Sequence, residues 1–228
     1  MSPHRIAVAT IAALVLTACA VPRVFAREGL FVGAGLVHST SQGDFNGTTT
    51  FTDTGNTQTI VAGKPGDMGG LNLAIGYGFN PYIGIELDLM SMGGIGSANA
   101  AGFPGKSSDS LGLDLLGARF TVPATQSLDL YAKLGLAGAA YRFRSYRNSN
   151  LGSVGTQPGG VSYYGDGIGA GVGAEYFIRN LGLGLGWTQY NLTFDQSSAS
   201  GISALPKKLH EEVDTVDFLV SYHFPHLG

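Results

Sequence analysis

The chain has 228 residues, of which 44% are hydrophobic and only 13% charged, with 36 glycines. That balance excludes a coiled coil, a dinucleotide-binding α/β domain and a disordered chain, and leaves a β-sandwich or a membrane barrel. A formal charge of −3 without a basic patch makes a poor nucleic-acid binder.

The N-terminus reads as an export signal: a short basic leader over Met1–Arg5, an apolar core over Ile6–Ala18, and Val24-Phe25-Ala26 ending in a small residue. The expected organisation is a signal peptide over 1–26, cut after Ala26, and a barrel domain over 27–228. A competing reading takes Leu16-Thr17-Ala18-Cys19 as a lipobox, with Cys19 as the lipidated first residue. Cys19 is the only cysteine, so no intramolecular disulfide forms in either case. Beyond this segment there is no run of eighteen apolar residues, so no helix is expected to span a membrane.

Period-two alternation then runs through the chain. Strand one is expected over Gly29–Ser39. A polar stretch over 40–68 follows, and then two strands around Asn80-Pro81. Leu71, Leu73, Ile75, Tyr77 and Phe79 alternate before that turn, and Ile83, Ile85, Leu87 and Leu89 after it. Asn-Pro marks a tight hairpin turn. One face of this hairpin is continuously apolar; the other is small and polar, with Glu86 and Asp88 near its middle. Oil outward and charge inward is the arrangement of a membrane barrel.

Residues 92–109 read as a second long loop. Strand four is expected over about Ser110–Thr121, with Asp114 opposite Leu111, Leu113 and Leu115. After a short turn at Val122–Gln126, strand five runs over about Leu128–Phe143. A third loop covers 144–162. Strand six runs over roughly Tyr163–Phe177, with alternate glycines, and turns at Arg179-Asn180 into strand seven, Leu181–Tyr190. A fourth loop covers 191–213, and strand eight is Asp214–Phe224. The expected fold is therefore all-β: an eight-stranded antiparallel up-and-down transmembrane β-barrel. Long loops follow odd strands and short turns follow even ones. Strands of about ten residues suit a tilted crossing, and an even antiparallel count can close without an edge in lipid.

The segments GYGFNPYIGIELDL, LYAKLGLAGAAYRF, GAGVGAEYFIRNLGLGLGWT and VDFLVSYHF resemble strands of the small OmpA/OmpX-like outer-membrane barrels, over about residues 29–224. The resemblance implies an integral outer-membrane protein with both termini periplasmic. It also implies partners among outer-membrane lipids, lipopolysaccharide and the barrel-insertion machinery. In that family an aromatic residue ending the last strand is the insertion signal, a role that falls to Phe224, with Pro225–Gly228 following it.

Six charges are expected in the lumen: Glu86, Asp88, Asp114, Asp129, Lys133 and Glu175. Glu86 and Lys133 stand at similar depth, and Lys133 is read as the only inward cation, plugging the lumen as an ion pair. Arg142, Arg144 and Arg147 cluster at the top of strand five, where they are candidates for lipopolysaccharide contact. Trp187, Tyr176, Tyr222 and Phe224 suit aromatic girdles.

No cofactor or metal site is expected. The glycines at 169, 171 and 173 continue a strand period rather than opening a helix, and His210-Glu211-Glu212 lacks zinc-helix spacing. His38-Ser39 and Ser221/His223 lack an oriented acid. The expected function is non-enzymatic: a structural or surface-interaction role through the long loops, including host contact. The alternatives are a narrow channel for small or hydrophobic solutes and a lipid-A-modifying enzyme.

Overall fold

The structure is a computed structural model. It describes residues 28–43, 48–53, 56–61, 68–96, 99–100, 103–147, 159–200 and 207–224. The expected leader over 1–26, with Cys19 and the cut after Ala26, lies outside them, as do residues 225–228.

The described residues form eleven strands: β1 Gly29–Gly43, β2 Thr48–Asp53, β3 Asn56–Val61, β4 Met68–Gly78, β5 Ile83–Gly96, β6 Asn99–Ala100, β7 Phe103–Pro123, β8 Leu128–Arg147, β9 Gly159–Ile178, β10 Leu181–Ser200 and β11 Lys208–His223. Eight of them (β1, β4, β5 and β7–β11) pair antiparallel in the order β5-β4-β1-β11-β10-β9-β8-β7, and a β5–β7 ladder closes the ring. β2 and β3 make a separate hairpin within the first long connection, and β6 pairs antiparallel with the start of β7.

The expected strands are present but longer than the alternation suggested. Most of 191–213, read as a loop, is strand: β10 continues to Ser200 and β11 begins at Lys208. Parts of 40–68, 92–109 and 144–162 are strand as well.

The turns have local causes. The Asn80 side-chain carbonyl accepts from the N–H groups of Tyr82 (2.8 Å) and Ile83 (2.9 Å), an Asx turn that joins β4 to β5. Arg179 takes a left-handed φ of 59° between β9 and β10. The Asn180 carbonyl beside it accepts from the His223 N–H at 2.9 Å, which ties the turn to the last strand.

The stagger of the barrel follows from its register. One row runs Leu36–Leu71–Ser91–Gly112–Ala140–Tyr164–Asp195–Lys208 around the ring, yet Leu36 itself pairs with Phe218. Lys208 and Phe218 are ten residues apart on β11, so the shear is ten for eight strands. Such a shear belongs with strands tilted by roughly 35–45° and an interior just wide enough for side chains. Neighbouring strands are then offset by a little more than one residue at equal height, and this correction sorts every side chain by level.

Sorted this way, the barrel changes polarity along its axis. Over its lower part, toward the short turns, the outer face is apolar: Leu30, Val32, Leu36, Leu73, Ile85, Leu116, Phe120, Leu134, Leu185, Phe218 and Val220 are all exposed. An aromatic girdle of Tyr77, Phe79, Tyr82, Phe120, Tyr176, Tyr222 and Phe224 marks the turn end of this belt. Trp187 lies at the opposite edge. Just above Leu36, Leu116, Trp187 and Val216 the outer face becomes polar, with His38, Asp114, Gln189 and Asp214.

The interior changes in the opposite sense. Below that edge it is charged; above it, Met68, Met90, Met92, Leu111, Leu113, Tyr141, Phe143, Tyr163, Tyr190, Leu192, Phe194, Leu209 and Val213 form one buried apolar cluster. The lower half is built like a membrane barrel, and the upper half like a soluble one.

Candidate functional site

The lower lumen is a network of buried ions. Arg119, from β7, donates to Glu86 of β5 at 2.8 Å and to Glu175 of β9 at 2.7 Å. Lys133, from β8, donates to Asp88 at 2.5 Å and to Glu86 at 3.4 Å. Ser221 donates to Glu175, and His223 Nε2 lies 3.2 Å from the same carboxylate oxygen. The Arg119 guanidinium sits over the Tyr131 ring, 4.1 Å from its centroid, and 5.2 Å from that of Phe31. At the turn end, Phe31 stacks on the His223 ring at 5.1 Å, and Phe177 meets it edge-on at 5.0 Å. A cavity of about 30 Å³ opens there, between Asn80, Asp129, Glu175 and His223.

Glycines make this packing possible. A Cβ at Gly173 would strike the Tyr131 ring, and one at Gly182 would strike Glu175 and Ser221. The alternate glycines of β9 and β10 are thus the space into which the flanking strands lay their large and charged side chains.

Of the six lumen charges expected, Glu86, Asp88, Asp129, Lys133 and Glu175 are buried in the interior. Asp114 is not. It is exposed on the outer face, beside the backbone of Gly138. The reason is the inversion of polarity: in upper β7 the leucines at 111, 113 and 115 point inward, which turns Asp114 out. The same parity sends Arg119 inward, so Lys133 is one of two lumen cations rather than the only one. Asp217 and Glu211, also buried, were missed as inward charges. Arg119 could have been found from its neighbour Phe120, whose aromatic side chain belongs to the lipid side.

Asn72, Thr188 and Asp217 carried no clear signal in the sequence, yet all are almost fully buried. Arg142 and Arg144 point outward and are exposed. They stand well above the apolar edge, by about seven and about nine residues, or roughly 18 and 23 Å along the barrel axis. The Arg147 side chain lies outside those described. Phe224 is exposed at the turn end, edge-on to Tyr222 at 5.0 Å, and its N–H donates to the Leu30 carbonyl at 2.9 Å.

The upper interior holds acidic and phenolic groups among its apolar side chains. Burial pushes the Asp109 carboxyl up to about 6 and the Tyr163 phenol up to about 12. The Tyr141 hydroxyl is pushed up further, by burial first and by Asp109 and Glu211 beside it.

The hydrolase-like pairs do not assemble. His38 is exposed outward while Ser39 is buried inward, on opposite faces of β1. Ser221 and His223 share the lumen face, but both address Glu175 rather than each other. Among the described residues no group of three or more His, Cys, Asp or Glu side chains is placed to hold a metal by itself.

A family model described as "Outer membrane protein beta-barrel domain" matches residues 11–224. Among solved structures, the chain is similar to Ail, the attachment invasion locus protein of Yersinia pestis, in complex with the heparin analogue sucrose octasulfate. The TM-score is 0.51 at 16% identity, over 86% of this chain and 99% of that one. It is also similar to OprG of Pseudomonas aeruginosa (TM-score 0.45, 15% identity, 87% and 98% coverage). A third similar structure is the outer membrane protease OmpT of Escherichia coli (TM-score 0.44, 10% identity, 86% and 97% coverage). Among curated proteins no sequence matches.

Proposed function

The chain belongs to the outer membrane protein β-barrel domain family, and from that membership we propose a non-enzymatic surface role for a barrel whose lumen is closed. In this reading the short turns and both termini face the periplasm. The long connections, together with the polar-faced upper half of the barrel, stand in the water and sugar layer outside. The observation that carries it is the filled interior. A buried ion network closes the lower lumen, and directly above it an apolar cluster runs on toward the loop end. Water does not wet an apolar constriction readily, and ions do not cross a lumen held by paired charges. The exposed upper wall is then the part of the molecule free to meet a partner.

Arg142 and Arg144 suit an anionic sugar. They are exposed on one strand, with Ser110 and Ser162 beside Arg142 on the flanking strands. A planar guanidinium binds phosphate or sulfate through paired donors. At their height the phosphorylated sugars of lipopolysaccharide, or a sulfated host glycan, are the fitting partners. The heparin analogue bound by Ail names the class of probe.

The test uses one preparation of the folded protein. In planar bilayers it should show no discrete conductance, and on a heparin column it should be retained until Arg142→Ser and Arg144→Ser are introduced together. Steady single-channel steps would instead support the solute-channel reading, and retention unchanged by the double substitution would remove the arginines from the contact.

A further inference from the structure

The methionines of this chain are gathered in one place. Apart from Met1 the sequence contains only Met68, Met90 and Met92, and all three are buried in the apolar cluster of the upper interior. They come from two neighbouring strands. Met90 and Met92 flank Ser91 on β5 and share its inward face, while Met68 lies on β4, two residues from Gly70 on the same face. Gly70 is the register partner of Met92. A Cβ at Gly70 would stand 2.7 Å from the Met92 Cγ, so the Met92 side chain lies across β4 where Gly70 leaves room for it. When the ten-residue shear is spread over eight strands, Met68 and Met92 fall within one residue of the same height, and Met90 about two residues below Met92. The Met90 sulfur reaches toward the barrel axis, where the Tyr190 hydroxyl donates to Sδ at 3.7 Å.

Methionine serves many cores as an adaptable filler. Filling alone does not account for this grouping, because every other member of the same cluster is Leu, Val, Ala, Phe or Tyr. What the three side chains share is a thioether, a neutral and polarizable donor that selects soft ions such as copper(I) over hard ones. Such a site needs little space. At a metal–sulfur distance of about 2.3 Å, as in zinc thiolates, three sulfurs in a plane around one ion are roughly 4 Å apart, near the ordinary contact distance of packed atoms. The surroundings favour a cation as well. Directly below the methionines the buried carboxylates of Glu86, Asp88, Asp129, Glu175 and Asp217 outnumber Arg119 and Lys133, even with His223 counted among the cations. Asp88 precedes Met90 by two residues on the same face of β5. It stays with Lys133 and is not a ligand here, but the lumen beneath the sulfurs carries net negative charge, which offsets the cost of burying a positive ion.

We propose that Met68, Met90 and Met92 form a three-thioether site for one soft monovalent cation, copper(I) or silver(I). Met68 and Met92 supply two sulfurs across the β4–β5 ladder. Met90 exchanges its contact with the Tyr190 hydroxyl for the ion and supplies the third, a movement that three rotatable bonds and an unbranched chain permit. No hard ligand enters the set, so calcium, magnesium and zinc(II) are excluded by the same chemistry that admits copper(I). The ion sits just above the apolar edge of the outer face, on top of the ion network that closes the lower lumen.

The experiment refolds the full chain in detergent and chloride-free buffer with silver(I), or under argon with copper(I) held by acetonitrile. Gel filtration removes free metal, and elemental mass spectrometry counts what stays. The proposal expects one silver or copper per barrel, none from zinc(II) or calcium, and a higher melting temperature with the bound ion. In a chain labelled with methyl-13C methionine, the Met68, Met90 and Met92 methyl resonances should shift as silver is added, while Met1 stays in place. Met68→Leu, Met90→Leu and Met92→Leu keep the volume of the core. Each should weaken silver binding at least ten-fold, since losing even a supporting residue around a metal costs about 10–100-fold in affinity. Cys19→Ser should leave binding unchanged. No retained silver in the wild-type barrel, or methionine methyls that do not move at one silver per chain, overturns the proposal. So does retention undiminished when Met68→Leu and Met92→Leu are combined, which would place the ion at Cys19 or at the histidines.

Discussion

Arg119 is the residue on which the lower lumen depends most. It bridges carboxylates on two different strands to either side of β7, Glu86 of β5 and Glu175 of β9. Removing one member of a buried pair strands the other charge without solvent, at a cost of about 3–5 kcal/mol. Arg119→Met should therefore lower the unfolding free energy in detergent by about that amount, read from urea titrations by mobility shift. Lys133→Met, which strands Asp88, should destabilise similarly. The two cations share Glu86, so their effects should not add, and a double-mutant cycle should show a coupling of about 0.5–3 kcal/mol. Additivity of the two losses would mean that the network is two separate pairs. In the upper half, Asp109 makes a pH-dependent contribution of opposite sense. Its folded carboxyl titrates at about 6 because burial disfavours its charge, against an ordinary value of 3.8. The folded protein therefore holds a proton between those values that the unfolded chain has released. Stability from this residue rises as the pH falls from about 6 toward 4 and is lost as the pH rises back through 6. Asp109→Asn should raise the melting temperature at pH 8 and flatten its change over that window; an unaltered pH profile would count against the burial of this carboxyl.

At the level of strands, period-two alternation located all eight barrel strands, because each carries a face that must meet either lipid or a crowded interior. It misjudged their length and one of their faces for a single physical reason. A membrane barrel has oil outside and charge inside, and the alternation rule carries that from end to end. Above the apolar edge the rule reverses. Leu192 and Phe194, alternating with Asn191, Thr193 and Asp195, were passed over as loop, although they carry the same alternation with the faces exchanged. In β7 the reversal occurs within one strand, so Leu111, Leu113 and Leu115 are inward while Leu116 and Phe120 are outward. The uniform rule therefore puts Asp114 inside and leaves Arg119 out of the lumen. The ion pairs were less legible still, since partners such as Arg119 and Glu175 are 56 positions apart in the chain. The role of the glycines can be tested on β9. A Cβ at Gly169 would lie 2.8 Å from Leu115 and 3.1 Å from Tyr190. Gly169→Val should cost about 1–3 kcal/mol through overpacking, and Leu115→Ala in the same chain should recover part of that loss. A double variant no more stable than the two losses summed would show that β9 and β7 do not meet there.

For the whole molecule, the reversal of polarity sets how deep the barrel sits. From the aromatic girdle to the edge at Leu36, Trp187 and Val216 the apolar belt is about eight residues tall. At a rise of about 3.3 Å and a tilt of roughly 35–45°, it covers about 20 Å of hydrocarbon, close to the roughly 25 Å belt of outer-membrane barrels. β9, β10 and β11 continue for several residues beyond it, so their upper ends stand in water, and the apolar cluster inside them is what lets them do so without a surrounding membrane. One strand can carry the test, because β11 crosses both regimes. Val220 is outward and exposed near the middle of the belt, while Glu212 is outward and exposed above it. An arginine on the lipid face costs about 2–4 kcal/mol at the midplane and about 0–1 near the interface. Val220→Arg should therefore weaken folding into lipid vesicles by about 2–4 kcal/mol, and Glu212→Arg by less than about 1, measured by reversible unfolding in the presence of vesicles. If both substitutions cost the same, the polar edge at Asp214 does not mark the membrane surface, and the upper barrel lies deeper than its outer face implies. A difference of the expected size would fix the height of every other residue through the register, and would place Arg142 and Arg144 among the surface sugars rather than against the lipid.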